Sequence, residues 1–343
     1  MTESSHEQGS FEERLRLQIE GYHDSALAYA AVKLGLPDRM GTRAWTAGQL
    51  AEELGLSAPH LFRFLRCLST LGVCEELPDG TFALAPGGRS LQSGSRSRLA
   101  EKVQIVVEQY WQPWANLVHS LQTGQPAFEH VFGMTVWDWR RLHGDQGAVF
   151  NSYLAKESLA QADSIVEALD FSDVRTVADI GGGGGGLIAA VLRAHAQLVG
   201  VLFDQPQTVE AAKPFLQSLG VAERVTLVGG DLLAEIPVRA DFYLLKGVLQ
   251  QWDDAASLTI LRNCCSVMPD GARLLIIERM LPERALMDPA SVMLDLQMMT
   301  ITGGRSRNLQ QFEALLSEAG LALSKVTPTS SGLSIIEATF PSP

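Results

Sequence analysis

Apolar residues between 11 and 36 recur at helical spacing. Leu15, Leu17 and Ile19 are followed by Ala26, Leu27, Ala30, Val32 and Leu34, and the run stops at Gly35 and Pro37. Thr46 then reads as the N-cap of a short helix, AGQLAEELG. A second helix starts near Ser57 and stops at Gly72. VCEELPDGTFALAP follows as two short strands joined by a turn at Asp79–Gly80. Helix, turn, helix and hairpin make a winged-helix pattern. Residues 99–165 are again helical and rich in large aromatic side chains, among them Tyr110, Trp111, Trp137, Trp139 and Phe150. Such rings at helical spacing pack a core or line a flat apolar ligand site.

From about residue 172 the pattern changes to short apolar runs alternating with amphipathic ones. TVADI, LVGVLFD, VTLVGGD, ADFYLLKGVL and ARLLIIERML read as buried strands with helices between them. Two more strands close the chain near 322–328 and 332–340. This alternation predicts an α/β, Rossmann-like, doubly wound and mainly parallel sheet in the C-terminal half. It follows an all-α and winged-helix N-terminal part. The expected boundaries are 1–98 for an N-terminal dimerisation domain, 99–165 for an aromatic helical linker or substrate lid, and 166–343 for the sheet domain. Residues 1–10 are polar and expected to fray.

The charge balance narrows the partners. Lys plus Arg is 27 against 39 for Asp plus Glu, a net charge of −12, so no nucleic acid and no anionic membrane is expected as partner. The second helix of the winged-helix pattern offers Arg63 and Arg66 but no basic stripe, so packing or dimerisation is its expected use. Hydrophobic residues at 46% and charged residues at 19% describe a globular chain. Cys67, Cys74, Cys264 and Cys265 lack CxxC spacing; they read as reduced thiols, with no metal centre. The N-terminus lacks the pattern of a signal peptide, and no apolar run is long enough for a membrane span, so a cytoplasmic location is expected.

The segment running from Val177 to Gly186, VADIGGGGGG, carries the strongest chemical signal. Glycines at a strand-to-helix turn let a ligand approach the backbone and face the helix N–H groups. Gly181, Gly183 and Gly186 fit a dinucleotide loop; Asp179, Gly181, Gly183 and Gly185 fit an S-adenosylmethionine (SAM) loop. Three acids favour SAM. Asp179, before the loop, suits an ammonium group and would repel a pyrophosphate. Asp204 ends the next strand, where ribose hydroxyls would lie. Asp231 ends the strand after that, with Leu232 available to pack on an adenine.

The chain resembles the class I small-molecule O-methyltransferases, which include caffeate, acetylserotonin, phenazine and anthracycline methyltransferases. The resemblance spans nearly the whole chain. It rests on GYHDSALAYAAVKLGLPD, LFRFLRCLSTLGV, VFNSYLA, ADIGGGGGG, GVLFDQPQTV, GGDLLAEIP, LLKGVLQQWDD, ILRNCCSVMPDG, ERMLPE and GGRSRNLQQF. It implies a homodimer formed through the N-terminal domain, SAM as cofactor and a small, flat, aromatic secondary metabolite as substrate. Carried over by position, it adds Lys246 to the cofactor site. Trp139, Phe150, Leu154, Met298 and Met299 would form the substrate walls.

The same resemblance locates a difference. Where the family has a histidine base and an aspartate, this chain has Gln250 and Gln251; where the family has a glutamate supporting that histidine, it has Ser306. Glu278 remains, and none of the seven histidines lies after His195. An amide cannot accept a proton near neutral pH. Four readings stay open. One is a methyltransferase acting by proximity on an ionised or neutral nucleophilic acceptor. Another is a non-methylating enzyme (pericyclase or cyclase, hydroxylase, decarboxylase) that uses the sulfonium as a fixed charge. The others are a silent partner subunit and a ligand sensor. Candidate polarising or proton-handling groups are Gln250, Glu278, Arg307 and His143, with His130 and Arg305 beside them.

Overall fold

The computed structural model describes residues 10–341. The polar stretch expected at 1–10 lies outside the described residues except for Ser10, as does His6. The chain forms two compact units, Met1–Gln109 and Tyr110–Pro343. The sequence boundaries were expected at 98 and 165.

In the first unit the single helical run expected over 11–36 is three helices, Phe11–Glu20, Tyr22–Lys33 and Leu36–Met40. The first break has a local cause: Gly21 N–H bonds back to Gln18 O, a tightened turn, instead of continuing the regular ladder. At the second, Gly35 adopts a left-handed φ of +66°. Pro37 then sits in the first turn of the new helix, where its missing N–H costs nothing. Helix Ala47–Leu54 starts on the Thr46–Gln49 capping box, and helix Ala58–Thr70 follows. Strands β1 (Cys74–Glu76) and β2 (Phe82–Leu84) pair antiparallel across a turn in which Gly80 has φ +79°. Leu50, Leu61, Leu65, Leu68 and Phe82 form the core of this winged-helix arrangement.

The second unit begins with five helices, the last two being Val136–Leu142 and Gly144–Val166. The sheet follows: β3 (Thr176–Ile180), β4 (Val199–Asp204), β5 (Val225–Gly229), β6 (Phe242–Lys246), β7 (Arg273–Glu278), β8 (Ala322–Pro328) and β9 (Ser334–Thr339). Its order is β5-β4-β3-β6-β7-β9-β8. The first five strands run parallel, and β9 pairs antiparallel with both β7 and β8. The central strands are apolar on both faces because helices cover both; Ala178, Leu244, Leu245, Leu275 and Ile276 are fully buried. Strand order reverses at β3, which lies between β4 and β6. In such sheets the crevice for a ligand opens at the carboxyl ends beside that reversal. Asp204, Lys246 and Glu278 occupy carboxyl ends of β4, β6 and β7.

Candidate cofactor and active site

The glycine loop between β3 and helix Gly186–Ala194 can turn because Gly181, Gly183 and Gly185 all have positive φ. At Gly181 there is a second reason: a side-chain Cβ would lie 2.9 Å from the Val248 side chain. The loop is held by Asp204, whose two oxygens accept from Gly183 N–H (2.8 Å) and Gln205 N–H (2.7 Å). Burial raises the Asp204 pKa, while these two donors oppose the rise.

Four of the expected cofactor residues, Gly181, Asp204, Asp231 and Leu232, line one cleft of about 300 Å³. Thr208, Gly230, Val248, Gln251 and Trp252 share that wall, and Trp137, Arg140 and Asn151 come to it from the helices. Asp231 Oδ1 accepts from Leu233 N–H (2.9 Å), so this acid also caps its own turn. A carboxylate on each of two neighbouring strand ends, with Leu232 and Val248 as apolar cheeks, fits a nucleoside with ribose hydroxyls and a flat base. The residues present therefore fit SAM.

The other three expected cofactor residues are placed differently. Gly183 acts through its N–H on Asp204. Asp179 is 1% exposed and does not line the cleft; Oδ2 accepts from Ile188 N–H (3.3 Å), and Oδ1 is buried without a hydrogen bond. Its Oδ2 braces the first turn of the helix that follows the loop. Burial pushes its pKa up to about 7. Lys246 donates to Ser158 Oγ (3.2 Å).

The catalytic candidates separate in the same way. Gln250 is half-buried on the turn Leu249–Gln251. Its backbone N–H donates to Glu278 Oε1 (3.0 Å). Glu278 is buried, Oε2 has no hydrogen-bond partner, and burial pushes its pKa up to about 7. Arg307 was expected as a polarising donor. The structure corrects this: the side chain is fully buried and donates to Leu249 O (2.9 Å), Trp252 O (3.1 Å), Ser257 Oγ (3.0 Å) and Asp254 Oδ1 (2.9 Å). It clamps the Gln250 turn from behind. His143 is also corrected: it is exposed, its Nδ1–H donates to Trp139 O (2.8 Å), and its ring stacks on Trp139. That is a helix-end cap. His130 is exposed and stacks on His119; Arg305 pairs with Asp254 at the surface.

None of the five expected substrate-wall residues lines this cleft. Trp139 packs against Phe128 and Phe132, and Met298 is buried. Leu154 and Met299 are half-buried. Phe150 lies beneath the Arg140 guanidinium, 3.3 Å from it. The rings that reach the cleft are Trp137 and Trp252, near-parallel at 22° with centroids 6.2 Å apart. Trp252 was legible in KGVLQQW, two positions after Gln250. Trp137 had no local signal to separate it from Trp139.

Residues 114–322 match the O-methyltransferase domain, and residues 17–93 match the O-methyltransferase dimerisation domain. The chain belongs to the O-methyltransferase family. Its members take their methyl group from SAM. The phenazine O-methyltransferase PhzM of Lysobacter antibioticus is 38% identical, over 93% of this chain and 94% of that one. The O-demethylpuromycin-O-methyltransferase of Streptomyces alboniger is 36% identical over 95% and 89%. The solved structure of the mitomycin 7-O-methyltransferase MmcR superposes with a TM-score of 0.90, at 33% identity, over 96% of this O-methyltransferase and 98% of that chain. Among the described residues no helix is long and apolar enough to cross a membrane.

The two raised carboxyls give a pH prediction. Asp179 and Glu278 hold their protons in the fold up to about pH 7 but lose them near pH 4 when unfolded. The folded state therefore binds more protons across that window, and stability falls as pH rises through it. Thermal melting from pH 4.5 to 8 is expected to show this fall, and Glu278→Gln to flatten it. An unchanged slope in that variant would show that Glu278 is ionised throughout.

Proposed function

We propose that this chain is a SAM-dependent methyltransferase for a small, flat, aromatic secondary metabolite, and that it works by positioning, without a histidine base. The cleft carries this reading: ribose-type acids, apolar cheeks and two tryptophans meet beside a rigid turn whose candidate catalytic side chain is the amide of Gln250. Asp204 would hold the ribose, and Asp231 and Leu232 the base. Bound SAM supplies an electrophilic methyl group, so the acceptor need only be nucleophilic and in line. Gln250 orients the acceptor by hydrogen bonding. Glu278 and Arg307 are positioning residues that hold its turn through backbone groups. The aromatic preference agrees with the phenazine and mitomycin acceptors in the relatives' names.

A second copy of the chain would cover helix Phe11–Glu20, none of whose residues is buried. Phe11, Leu17 and Ile19 are 69%, 66% and 66% exposed there, next to the matched dimerisation domain. The four free thiols suit a reducing cytoplasm.

Incubation with SAM and a panel of hydroxylated and aminated aromatic compounds tests the reading by mass spectrometry. A gain of one methyl that requires SAM supports it. Turnover without mass gain, sustained by the demethylated cofactor, would make this a non-methylating member of the family. Gln250→His tests the missing base. It is expected to raise the rate on phenols of pKa about 10 by about 100-fold. Phenols already ionised at the assay pH should change little. Equal response of both classes would remove the base argument.

A further inference from the structure

The helix Val136–Leu142 brings two consecutive arginines to the cleft, and they differ in kind. Arg141 is exposed and paired with Asp138 at 2.9 Å. Arg140 is 8% exposed. Its guanidinium lies 3.3 Å above the centroid of Phe150 and 5.3 Å from that of Trp137, and it donates to the Tyr110 hydroxyl at 3.4 Å. We propose that Arg140 is a specificity-determining residue that selects an aromatic acceptor bearing a carboxylate, an inference that rests on the methyltransferase reading.

Three observations lead there. First, the cleft is bipolar. Asp204 and Asp231 sit on the sheet side, and the arginines come from the helix side. Acids suit hydroxyls and cations, so the ligand end facing the helix is the place for an anion. Second, Arg140 keeps its charge. Burial lowers its pKa only to about 10, so the guanidinium of this cleft-lining residue stays protonated at neutral pH. A planar guanidinium matches the two oxygens of a carboxylate better than any other side chain does. Third, its surroundings are flat. Phe150 fixes the plane of the guanidinium, and Trp137 and Trp252 offer ring faces on the same wall.

The carboxylate of the cofactor has the same chemistry, and the experiment separates the two. Binding is measured with S-adenosylhomocysteine present, for 1,4-dihydroxy-2-naphthoic acid and phenazine-1-carboxylic acid, each beside its methyl ester. Wild type is expected to bind at least one acid about tenfold more tightly than its ester. Arg140→Met should bring that ratio to about one by weakening the acid, and Arg140→Lys should keep part of it. Affinity for S-adenosylhomocysteine should stay within about twofold in both. The proposal is overturned if wild type prefers neither acid. It is also overturned if Arg140→Met weakens S-adenosylhomocysteine as much as the acid, which would assign the arginine to the cofactor. Melting curves report folding, and a folded Arg140→Lys keeps the comparison usable if Arg140→Met does not fold. A wild type that discriminates the acids yet transfers no methyl group leaves the assignment of Arg140 standing and removes the methyltransferase reading instead.

Discussion

Asp204→Ala is expected to weaken the binding of SAM and S-adenosylhomocysteine by about 100-fold or more, measured by calorimetry. Two effects add. In the proposed complex the carboxylate accepts from two ribose hydroxyls, and hydrogen bonds to a charged group contribute about 1.5–3 kcal/mol each. The same carboxylate also accepts from Gly183 and Gln205, so its loss frees the glycine loop and the start of the following helix. Asp204→Asn separates the two. One amide oxygen can still accept from Gly183, while the amide nitrogen opposes the Gln205 N–H, so an intermediate loss is expected. The fold should survive both, since Asp204 lies at the rim and the core strands do not depend on it. Unchanged affinity in Asp204→Ala would move the cofactor out of this cleft.

That site was legible because its signals are local. A run such as TVADI or FYLLK is buried on both faces, and the acid at the end of LVGVLFD must fall at a carboxyl edge. The three acids could therefore be assigned to strand ends from spacing alone. One of them shows the limit. Asp179 has the expected position along the chain, yet its side chain lies away from the cleft and braces Ile188. The substrate side was less legible. Trp137 and Trp139 stand on one short helix; the first reaches the cleft and the second packs on Phe128. Helical periodicity cannot separate them, because the partners that bury Trp139 come from another helix. Arg140 carries no local signal in the sequence for the same reason. Its burial comes from Phe150, ten positions away on the next helix.

Arg307 is the clearest case of a role decided by distant chain, and it sets the largest expected stability effect. Its partners, Leu249, Trp252, Asp254 and Ser257, lie more than 45 positions earlier. Arg307→Met removes these four hydrogen bonds and a fifth to Arg305 O (3.4 Å) at once. The carbonyls of Leu249 and Trp252 lose a charged partner, and a methionine cannot replace it. Hydrogen bonds to a charged group contribute about 1.5–3 kcal/mol each, so losing those made to Leu249, Trp252 and Ser257 is expected to cost about 3–5 kcal/mol; the ion pair adds little, because the Asp254 carboxylate is 58% exposed. For a chain of this size that corresponds to a melting temperature lower by about 4–7 °C. The loss should spread to function along a defined route. The Gln250 turn is held by Arg307 at the Leu249 carbonyl and by Glu278 at the Gln250 N–H. Relaxing that turn misplaces Gln250 and the neighbouring Gln251 and Trp252 of the cleft wall, so kcat should fall more than affinity for S-adenosylhomocysteine, whose proposed ribose contact, Asp204, is on another strand. Arg307→Lys retains a charge but not the planar fork that reaches two carbonyls, and should recover only part of the stability. If Arg307 instead polarises the acceptor directly, Arg307→Lys would keep the full melting temperature and lose activity alone.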